Sequence, residues 1–369
     1  MKKKIVFVAP QTKSLINFRG DLMKDIVKKG YAVVAVIPED ESREFFIKNH
    51  IKTRLLVMDK NSTSIFQNIS YYKKLKQIIK EEKPDKVFCY TIKPVIFGSI
   101  AAHKAGIKEI YSLICGLGYV YSANGTKHKL LQKICDKAYK HALKYNKKVI
   151  FQNQDDIDEF VKRKNLSKAK CELVNGSGVN LNKFKRNDLP KGISFLMVSR
   201  ILKGKGVMEY FEAARIVKEK YPQVHFTYIG QIDHGQSAIK YDGIKPYIDD
   251  GIVEYVSYTT HAEKYFEKCS VFVLPSYYRE GIPRTLIEAT AMGRPIITTK
   301  TPGCKETVVD GKNGYFVKPR SAKNLAEKMI LMIKNSDQLQ KMGDTSYSLC
   351  LEKFDIKIIN DQMLKIMEV

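Results

Sequence analysis

The chain has 369 residues, which is enough for two domains of ordinary size, and its hydrophobic fraction of 44% excludes a disordered polypeptide. Its net charge of +25, from 64 basic and 39 acidic residues, favours anionic partners such as nucleic acid, an anionic membrane surface or phosphorylated substrates, although AT-rich codon usage would also supply lysines. Seven scattered cysteines, with no CxxC pair and no zinc-ligand spacing, predict a reduced, cytoplasmic protein without a metal site.

Strand-like apolar runs alternate with helical patterns through the first half of the chain. The run at residues 4–9 is short and is followed by polar residues, so it predicts a first strand and not a signal peptide. No apolar run approaches the length needed to span a bilayer. The alternation predicts a parallel, doubly wound sheet. Strands are predicted at 4–9, 31–37, 54–57, 85–90, 109–114, 149–152 and 171–174, and helices at 19–29, 41–49, 65–81, 95–104 and 127–148.

A second alternation begins after residues 175–191, which are rich in Asn, Gly, Lys and Pro and have no periodicity. We therefore predict an α/β protein with two doubly wound Rossmann-like domains, 1–185 and 186–353, that face each other across a cleft. A helix at about 354–369 is expected to pack back on the first domain. The second domain is predicted to have strands at 194–198, 225–230, 252–255, 271–275 and 295–299 and helices at 207–220, 244–247, 260–268, 284–292 and 322–335.

The predicted helix at 127–148 is dense in lysine. Its apolar stripe is formed by Leu130, Leu131, Ile134, Ala138, Ala142 and Leu143. Such a helix can lie against an anionic membrane, or it can be an ordinary packed helix with a solvated charged face. Both interpretations stay open.

Two glutamates, Glu280 and Glu288, lie in the stretch 276–302 and are separated by seven residues. An apolar strand, a Gly-Ile-Pro turn, a helical pattern and a second strand predict a βαβ unit, whose ligands sit at the carboxyl ends of the strands. The N–H groups of Gly281, Ile282 and Thr285 would then point towards a bound anion. Taken alone, two such glutamates are more often solvated surface residues.

The first strand of the second domain is followed by a basic, glycine-containing turn with Arg200 and Lys205. Two cations with close backbone approach suit a diphosphate. Neither a Walker A loop nor a GxGxxG motif after the first strand is present, so ATP phosphoryl transfer and NAD binding are disfavoured. Glu288 can accept hydrogen bonds from adjacent ribose hydroxyls and Glu280 from sugar hydroxyls. Together these groups fit a nucleotide diphosphate sugar.

Over nearly all its length the chain resembles the retaining GT-B glycosyltransferases of family 4. The matching segments are the E-x7-E element 280–288, the R-x4-K element 200–205, VNGSGVNLNKF at 174–184 and PGCKETVVDGKNGYFV at 302–317. The resemblance implies that Arg200 and Lys205 neutralise the donor diphosphate and that Glu280 contacts the transferred sugar. These three residues are the predicted catalytic set.

The same resemblance implies the remaining donor contacts. Glu288 would bind the ribose, and the loop containing Val256 and Tyr258 would meet the base. Sugar or phosphate oxygens would be held around Gly281, Ile282, Pro283, Thr285 and Leu286. Members of this family retain the anomeric configuration and need no metal or other cofactor, because cations of the protein stabilise the departing diphosphate. The donor is expected to be UDP-linked.

The first domain is more specifically similar to a subgroup that acts on polyprenyl-diphosphate-linked sugars in surface glycan assembly. The segments that carry this similarity are INFRG at 16–20, YTIKP at 90–94 and CGLGYVY at 115–121. Arg19 and Lys93 would bind the acceptor diphosphate, although a plain surface cation is the alternative for Arg19. The other expected acceptor contacts are Asn17, Phe18, Thr91, Gly116 and Gly118. Many family members have a cleft histidine after the strand at 109–114, whereas this chain has Cys115 there, and His103 is expected to be structural.

The predicted function is therefore transfer of a hexose or N-acetylhexosamine from a nucleotide sugar to a polyprenyl-diphosphate-linked saccharide. The enzyme is expected to be cytoplasmic and held peripherally at the inner face of the cell membrane through lysines, through Leu15, Ile16 and Phe18, and through the helix at 127–148. A UDP-sugar epimerase of the same architecture, a basic nucleic-acid-binding protein and a non-catalytic scaffold remain as alternatives. The intact set of Arg200, Lys205, Glu280 and Glu288 argues against the scaffold.

Overall fold

The computed structural model describes residues 2–58, 64–122, 125–233, 235 and 237–369. The chain forms two compact units, one of residues 1–177 with 357–369 and one of residues 178–356. The division falls before residue 178 and not after residue 185 as the sequence analysis predicts. The reason is that Val179 and Phe184 lie in the hydrophobic core of the second unit, and Val179 forms a bridge with Asp355.

Thirteen strands in the described residues form two parallel sheets. The seven-stranded sheet has the order β3-β2-β1-β4-β5-β6-β7, and the six-stranded sheet has the order β10-β9-β8-β11-β12-β13. The strands are β1 (Lys4–Val8), β2 (Ala32–Ile37), β3 (Ile51–Leu55), β4 (Lys86–Tyr90), β5 (Glu109–Ile114), β6 (Lys148–Phe151), β7 (Cys171–Leu173), β8 (Ser194–Val198), β9 (His225–Ile229), β10 (Glu254–Val256), β11 (Val271–Leu274), β12 (Ile296–Thr299) and β13 (Gly314–Val317).

Helices connect the strands, and a π-helical turn at Pro94–Gly98 leads directly into the fourth helix. The helices are α1 (Thr12–Lys28), α2 (Arg43–Lys48), α3 (Ile65–Glu82), α4 (Ser99–Lys104), α5 (Gly118–Ser122), α6 (Thr126–Leu143), α7 (Gln154–Lys162), α8 (Val207–Lys218), α9 (Lys245–Asp249), α10 (Ala262–Glu267), α11 (Arg284–Ala291), α12 (Ala322–Lys334), α13 (Leu339–Lys353) and α14 (Ile356–Met367). No helix in the described part of the chain is both long enough and apolar enough to cross a bilayer.

The first unit has a helical layer on each face of its sheet because successive strand residues point to opposite sides. Val6 and Val8 of β1 belong to the core beneath α3, α4, α6 and α7. Ile5 and Phe7 belong to the core beneath α1, α2 and α14. This is the doubly wound architecture that the alternation in the sequence predicts.

The last helix, α14, packs on the first unit. Ile359, Met363 and Leu364 lie in the same core as α1. The Asn360 side chain donates a hydrogen bond to Asp25 Oδ2 at 2.7 Å. The burial of these apolar side chains and this hydrogen bond hold α14 on the seven-stranded sheet of the first unit.

Two helices differ from the sequence prediction. The first begins at Thr12 and not at residue 19, and Gly20 lies inside it, where a Cβ atom would be 2.9 Å from the Phe45 ring. Leu15, predicted to touch a membrane, is buried beneath this helix and is unavailable for such a contact. The helix at 127–148 ends at Leu143, and only the carboxyl-terminal part of its apolar stripe is buried.

Candidate active site

Two loops at the carboxyl edge of the second sheet lie side by side. One follows β8 and contains Lys205, and the other follows β11 and contains Glu280. The strand order reverses between these two strands, because β9 lies beyond β8 and β12 lies beyond β11. Such a switch point is where open α/β sheets bind ligands. The loops touch, since the Tyr277 amide donates a hydrogen bond to the Gly204 carbonyl at 2.9 Å.

Lys205 and Glu280 form an ion pair at this switch point. The Lys205 ammonium contacts Glu280 Oε2, and the two side chains are only 12% and 15% exposed. Glu280 Oε1 accepts a hydrogen bond from Ser276 Oγ at 2.8 Å. Because both carboxylate oxygens are engaged, the position of Glu280 is fixed by the protein.

Ser276 is in turn held by the end of β12 and by the loop that follows it. Its side chain is buried, and its carbonyl oxygen accepts hydrogen bonds from the hydroxyls of Thr299 and Thr301, the latter at 3.1 Å. No role is predicted for these three residues from the sequence. Their signal in the sequence is their position at or just after the ends of two predicted strands, 271–275 and 295–299.

Close backbone approach supports the same turn. Gly303 has φ +82°, and a Cβ atom there would lie 1.4 Å from the Gly281 carbonyl oxygen. Gly206 has φ +77°, and its Cβ atom would lie 2.4 Å from the Pro275 carbonyl oxygen. Only glycine accommodates both the conformation and the contact, so these glycines fix the turn that carries Glu280.

Arg200, the second predicted cation, has a different partner. Its guanidinium donates to Asp233 Oδ2 at 3.0 Å, and its side chain is 59% exposed. The two cations predicted to act together therefore each have a carboxylate partner of their own.

Glu288 lies on the second turn of α11 and is buried. Its Oε1 accepts a hydrogen bond from Arg284 Nε at 3.0 Å. Burial raises the pKa of this carboxyl, and the positive charges of Arg284 and Lys183 oppose the rise. Lys183 is a further cation near Glu288 that the sequence analysis does not single out.

The amino-terminal end of α11 supplies a smaller set of donors than predicted. Pro283 has no N–H group, and the Leu286 amide donates to the Pro283 carbonyl at 3.1 Å. These two predicted contact residues therefore offer no backbone donor. The amides of Gly281, Ile282 and Thr285 lie at or just before the start of α11, and their role as anion-binding donors stays a prediction.

The loop predicted to meet the nucleotide base follows the edge strand β10. The Val256 carbonyl accepts a hydrogen bond from the Gly230 amide at 3.0 Å, and Tyr258 is exposed. In the sheet order this loop is two strands from β8. It therefore lies at the same edge of the sheet as Lys205.

In the first unit, Arg19 is a buried cation and not a surface one. It is 3% exposed, it donates to Ser177 Oγ at 3.1 Å, and its guanidinium carbon is 6.0 Å from the centre of the Tyr90 ring. Gln152 also donates to Ser177 Oγ, at 3.1 Å. A buried charge is retained only where polar groups compensate its desolvation, and here these groups lie at the ends of β4 and β6.

The loops after β4 and β5 meet close to Arg19. Burial raises the pKa of Cys115, and the nearby Arg19 charge and hydrogen bonds from Arg19 and the Thr91 amide limit that rise. Thr91 has φ +67°, a costly conformation for a β-branched residue that often marks a functional site. The structure thus brings Arg19, Thr91 and Cys115 together. Cys115 directly precedes Gly116, which is a predicted acceptor contact.

The other predicted acceptor residues lie around this cluster. Asn17 is exposed, whereas Phe18 and Lys93 are partly buried. Gly116 and Gly118 have φ +108° and +63°, so the loop between β5 and α5 depends on glycine. His103 lies at the end of α4 and stacks on Tyr145 with the ring centres 3.8 Å apart, in agreement with a structural role.

Each unit matches a family of glycosyltransferases. Residues 179–349 match the family "Glycosyl transferases group 1", and residues 4–153 match "Glycosyl transferase 4-like". Both units are doubly wound, and the site of the second lies at its topological switch point. The chain is a glycosyltransferase. It belongs to the GT-B glycosyltransferases of family 4, as the sequence motifs predict.

Two curated relatives extend this result. One is the N,N'-diacetylbacillosaminyl-diphospho-undecaprenol alpha-1,3-N-acetylgalactosaminyltransferase of Campylobacter jejuni, 26% identical over 98% of each chain. Another is the UDP-Gal:alpha-D-GlcNAc-diphosphoundecaprenol alpha-1,3-galactosyltransferase of Escherichia coli, 25% identical over 76% of this chain and 72% of the relative. These matches do not favour the epimerase or nucleic-acid-binding alternatives.

Solved structures share the fold. The Anabaena HepE protein in complex with UDP and glucose has a TM-score of 0.79 at 17% identity, over 99% of both chains. Sucrose-phosphate synthase from Thermosynechococcus elongatus has a TM-score of 0.81 at 18% identity, over 100% of this chain and 98% of that one.

Proposed function

We propose that the protein is a retaining, metal-independent glycosyltransferase that moves a hexose or N-acetylhexosamine from a UDP-linked donor to a polyprenyl-diphosphate-linked saccharide. The observation that carries the proposal is the Lys205–Glu280 ion pair, fixed by Ser276 beside the amino-terminal end of α11. It combines a cation for a leaving diphosphate with a carboxylate for sugar hydroxyls.

The donor would occupy the second unit. Its diphosphate would lie against Lys205 and the amides of Gly281, Ile282 and Thr285, because these groups supply positive charge and directed donors. Arg200 would join them by leaving Asp233. Glu288 would accept the ribose hydroxyls, and the Val256–Tyr258 loop would contact the base. Protein cations in these positions would supply the charge stabilisation that makes a bound metal unnecessary.

The acceptor would occupy the first unit. Arg19 and Lys93 would hold its diphosphate, and Thr91, with its strained backbone, would orient a phosphate or sugar oxygen. The relatives from Campylobacter jejuni and Escherichia coli act, by their names, on diphospho-undecaprenol-linked sugars. These names support an acceptor of the same chemical class. The enzyme would then attach peripherally to the inner face of the membrane, where a polyprenyl anchor would hold that acceptor.

The chemistry would proceed on one face of the transferred sugar. The bond from the anomeric carbon to the UDP oxygen breaks, and the acceptor hydroxyl oxygen forms a new bond to that carbon. The hydroxyl proton passes to the departing diphosphate oxygen, so no protein base is required. Lys205 stabilises the charge that develops on the diphosphate, and Glu280 holds the sugar in position.

Transfer from radiolabelled UDP-sugars to a synthetic undecaprenyl-diphosphate-linked monosaccharide tests the proposal. We expect product in the presence of EDTA, with the anomeric configuration of the donor retained in its NMR spectrum. Product of inverted configuration would contradict the retaining mechanism, and loss of activity in EDTA would contradict metal independence. UDP-sugar epimerisation without transfer would contradict the transferase itself.

A further inference from the structure

Large apolar side chains are exposed on the amino-terminal halves of α3 and α6. Phe66 of α3 is 85% exposed, and Leu130 and Ile134 of α6 are 62% and 56% exposed. Ile69 and Leu131 are exposed beside them. The carboxyl-terminal halves of both helices pack normally, since Leu75, Ile79 and Leu143 are fully buried. Other large apolar side chains are exposed elsewhere, but these five lie on two helical segments. A group of neighbouring exposed apolar side chains indicates an interaction surface.

The two segments lie at the same edge of the first sheet. The helices α3 and α6 follow β3 and β5 of a parallel sheet, so both begin at its carboxyl edge. Both also contribute to the core on one face of that sheet. The π-helical turn at Pro94–Gly98 contacts both helices, and its Phe97 ring lies 6.1 Å from the Tyr71 ring of α3. Ile96 and Phe97 of this turn are partly buried and join the two exposed segments.

This surface, which we call the α3–α6 face, adjoins the predicted acceptor residues. Thr91 and Lys93 come shortly before the π-helical turn. Gly116 lies just before α5, Gly118 is the first residue of α5, and α6 is the next helix along the chain. An acceptor bound at these residues would therefore have apolar protein surface beside it.

The charge of the α3–α6 face favours an anionic occupant. No acidic residue occurs between residues 65 and 80 of α3, where Lys73 and Lys74 are exposed. Lys129, Lys133 and Lys137 are exposed on α6. The one acidic residue of α6, Asp136, is engaged by Arg163, Tyr121 and Asn165. A second copy of a chain of net charge +25 would meet electrostatic repulsion here.

We propose that the α3–α6 face docks on an anionic lipid bilayer. This inference rests on the proposed function, because a polyprenyl-linked acceptor requires the enzyme to work at such a surface. Phe66, Ile69, Leu130 and Ile134 insert at the boundary of headgroups and acyl chains, and the lysines meet lipid phosphates. The docked surface differs from the predicted one, since Leu15 is buried and α3 contributes as much as α6.

Sedimentation of the full chain with vesicles tests the docking. Vesicles of phosphatidylglycerol and phosphatidylethanolamine should bind the protein at 0.1 M salt, and binding should weaken at 0.5 M salt and with pure phosphatidylcholine. The double variant Phe66→Ser/Ile134→Ser should lower the partition coefficient about 10-fold or more, because two large apolar side chains no longer insert. The matched control is Ile47→Ser, a residue 66% exposed on α2 at the opposite face of the sheet.

The lysines are tested in the same assay. Lys73→Gln/Lys74→Gln should reduce binding to the anionic vesicles, whereas Lys80→Gln, at the other end of the same helix, should leave it nearly unchanged. Wild-type binding to phosphatidylcholine vesicles that is as strong as binding to the anionic vesicles would overturn the inference. A loss of binding in Ile47→Ser as large as that in Phe66→Ser/Ile134→Ser would also overturn it. So would a dimeric wild type that the Phe66→Ser/Ile134→Ser exchange converts to a monomer, because the face would then be a subunit interface.

A water-soluble acceptor that carries a methyl group in place of the prenyl chain separates this inference from the proposed function. In detergent-free buffer without lipid, the Phe66→Ser/Ile134→Ser variant should transfer sugar to this acceptor at the wild-type rate. Wild-type transfer without any vesicle binding would overturn the docking and leave the proposed function intact. Vesicle binding without sugar transfer from any nucleotide sugar would overturn the proposed function.

Discussion

Lys205 and Glu280 form a largely buried ion pair although 75 residues separate them in the sequence. The pair joins the two loops on either side of the topological switch point of the second sheet. In the absence of donor, each charge compensates the other. A donor diphosphate would replace the Glu280 carboxylate as the partner of Lys205, which would release Glu280 for sugar hydroxyls.

Removing the Lys205 ammonium should abolish most of the transfer activity. We expect Lys205→Ala to lower kcat by about 10²-fold or more, because a preorganised charge near a leaving group contributes on that scale. The matched control is Lys203→Ala, an exposed lysine of the same loop, which should keep near-normal kcat. Steady-state kinetics with a UDP-sugar measures both. Near-normal turnover in Lys205→Ala would contradict the role of the ion pair.

Ser276→Ala should impair catalysis more than stability. The variant loses the hydrogen bond that fixes Glu280, so we expect kcat/KM to fall about 10-fold. Thr290→Val is the matched control, because Thr290 is also buried and its hydroxyl donates to the Ile287 carbonyl without touching Glu280. Kinetics and thermal unfolding of both variants separate the effects. A loss of activity in Thr290→Val equal to that in Ser276→Ala would mean that Ser276 acts only through the core.

Glu288 should make donor binding dependent on pH. Burial raises the pKa of Glu288 in the folded protein, so the carboxylate that accepts ribose hydroxyls is lost as the pH falls through that raised pKa. Calorimetric titration with UDP should therefore show affinity falling from pH 7 to pH 5. Glu288→Gln should bind about 10-fold more weakly at pH 7, with a smaller pH dependence than the wild type. An identical pH dependence in both proteins would exclude Glu288 as its source.

The raised pKa of Glu288 also makes the stability of the protein depend on pH. Donor binding should strengthen as the pH rises, whereas stability should fall. Because the folded pKa of Glu288 lies above its unfolded value, the charged carboxylate costs stability above the folded pKa, and this cost disappears below the unfolded pKa. Glu288→Gln should thus raise the free energy of unfolding at pH 7. Denaturant unfolding at pH 7 and pH 4 measures the difference, which should shrink at pH 4.

Glu109 should support the first unit at neutral pH. Burial alone raises its pKa, but hydrogen bonds from Lys147, Tyr111 and Lys86 outweigh that effect and lower the pKa to about 2. The stabilisation is present above the unfolded pKa and is lost as the pH falls from about 4.5 towards 2.

Glu109→Gln should therefore lower the free energy of unfolding at pH 7 by about 1–2 kcal/mol, a value reduced for solvent screening. The variant should also lose stability less steeply in acid. Glu172→Gln is the control. Within the described residues Glu172 forms one ion pair, with Lys148 on the neighbouring strand, and its replacement should have a smaller effect. Acid titrations followed by circular dichroism would contradict this account if the two variants behaved alike.

The sequence predicts most of the sheets because buried parallel strands appear as short apolar runs. The predicted strand at 109–114 and the predicted helix at 65–81 agree with β5 and α3. Strand β13 and helix α13 are not predicted from the sequence, and glycine contributes to both omissions. The strand begins at Gly314, where a Cβ atom would lie 1.9 Å from the Ile296 carbonyl oxygen, and the helix contains Gly343, where a Cβ atom would lie 2.2 Å from the Gly293 carbonyl oxygen. A glycine required by tertiary packing resembles a helix-breaking residue in the sequence.

The candidate site, like the fold, is predicted only in part from the sequence. Positions after predicted strands indicate that Lys205, Glu280 and Arg19 lie at carboxyl edges, since that follows from chain order alone. Which charges meet depends on rotamers and on neighbouring loops. The sequence therefore does not reveal that Arg200 pairs with Asp233, that Ser276 holds Glu280, or that Arg19 is buried.

The measurement that tests the central claim most directly is thermal unfolding of the wild type with UDP, GDP, ADP and several UDP-sugars. Ligands that bind only the folded protein raise its melting temperature by mass action. We predict a rise with UDP and UDP-sugars that is strongly reduced in Lys205→Ala and in Glu288→Ala. A well-folded wild type whose melting temperature responds to none of these nucleotides would contradict the proposed donor site.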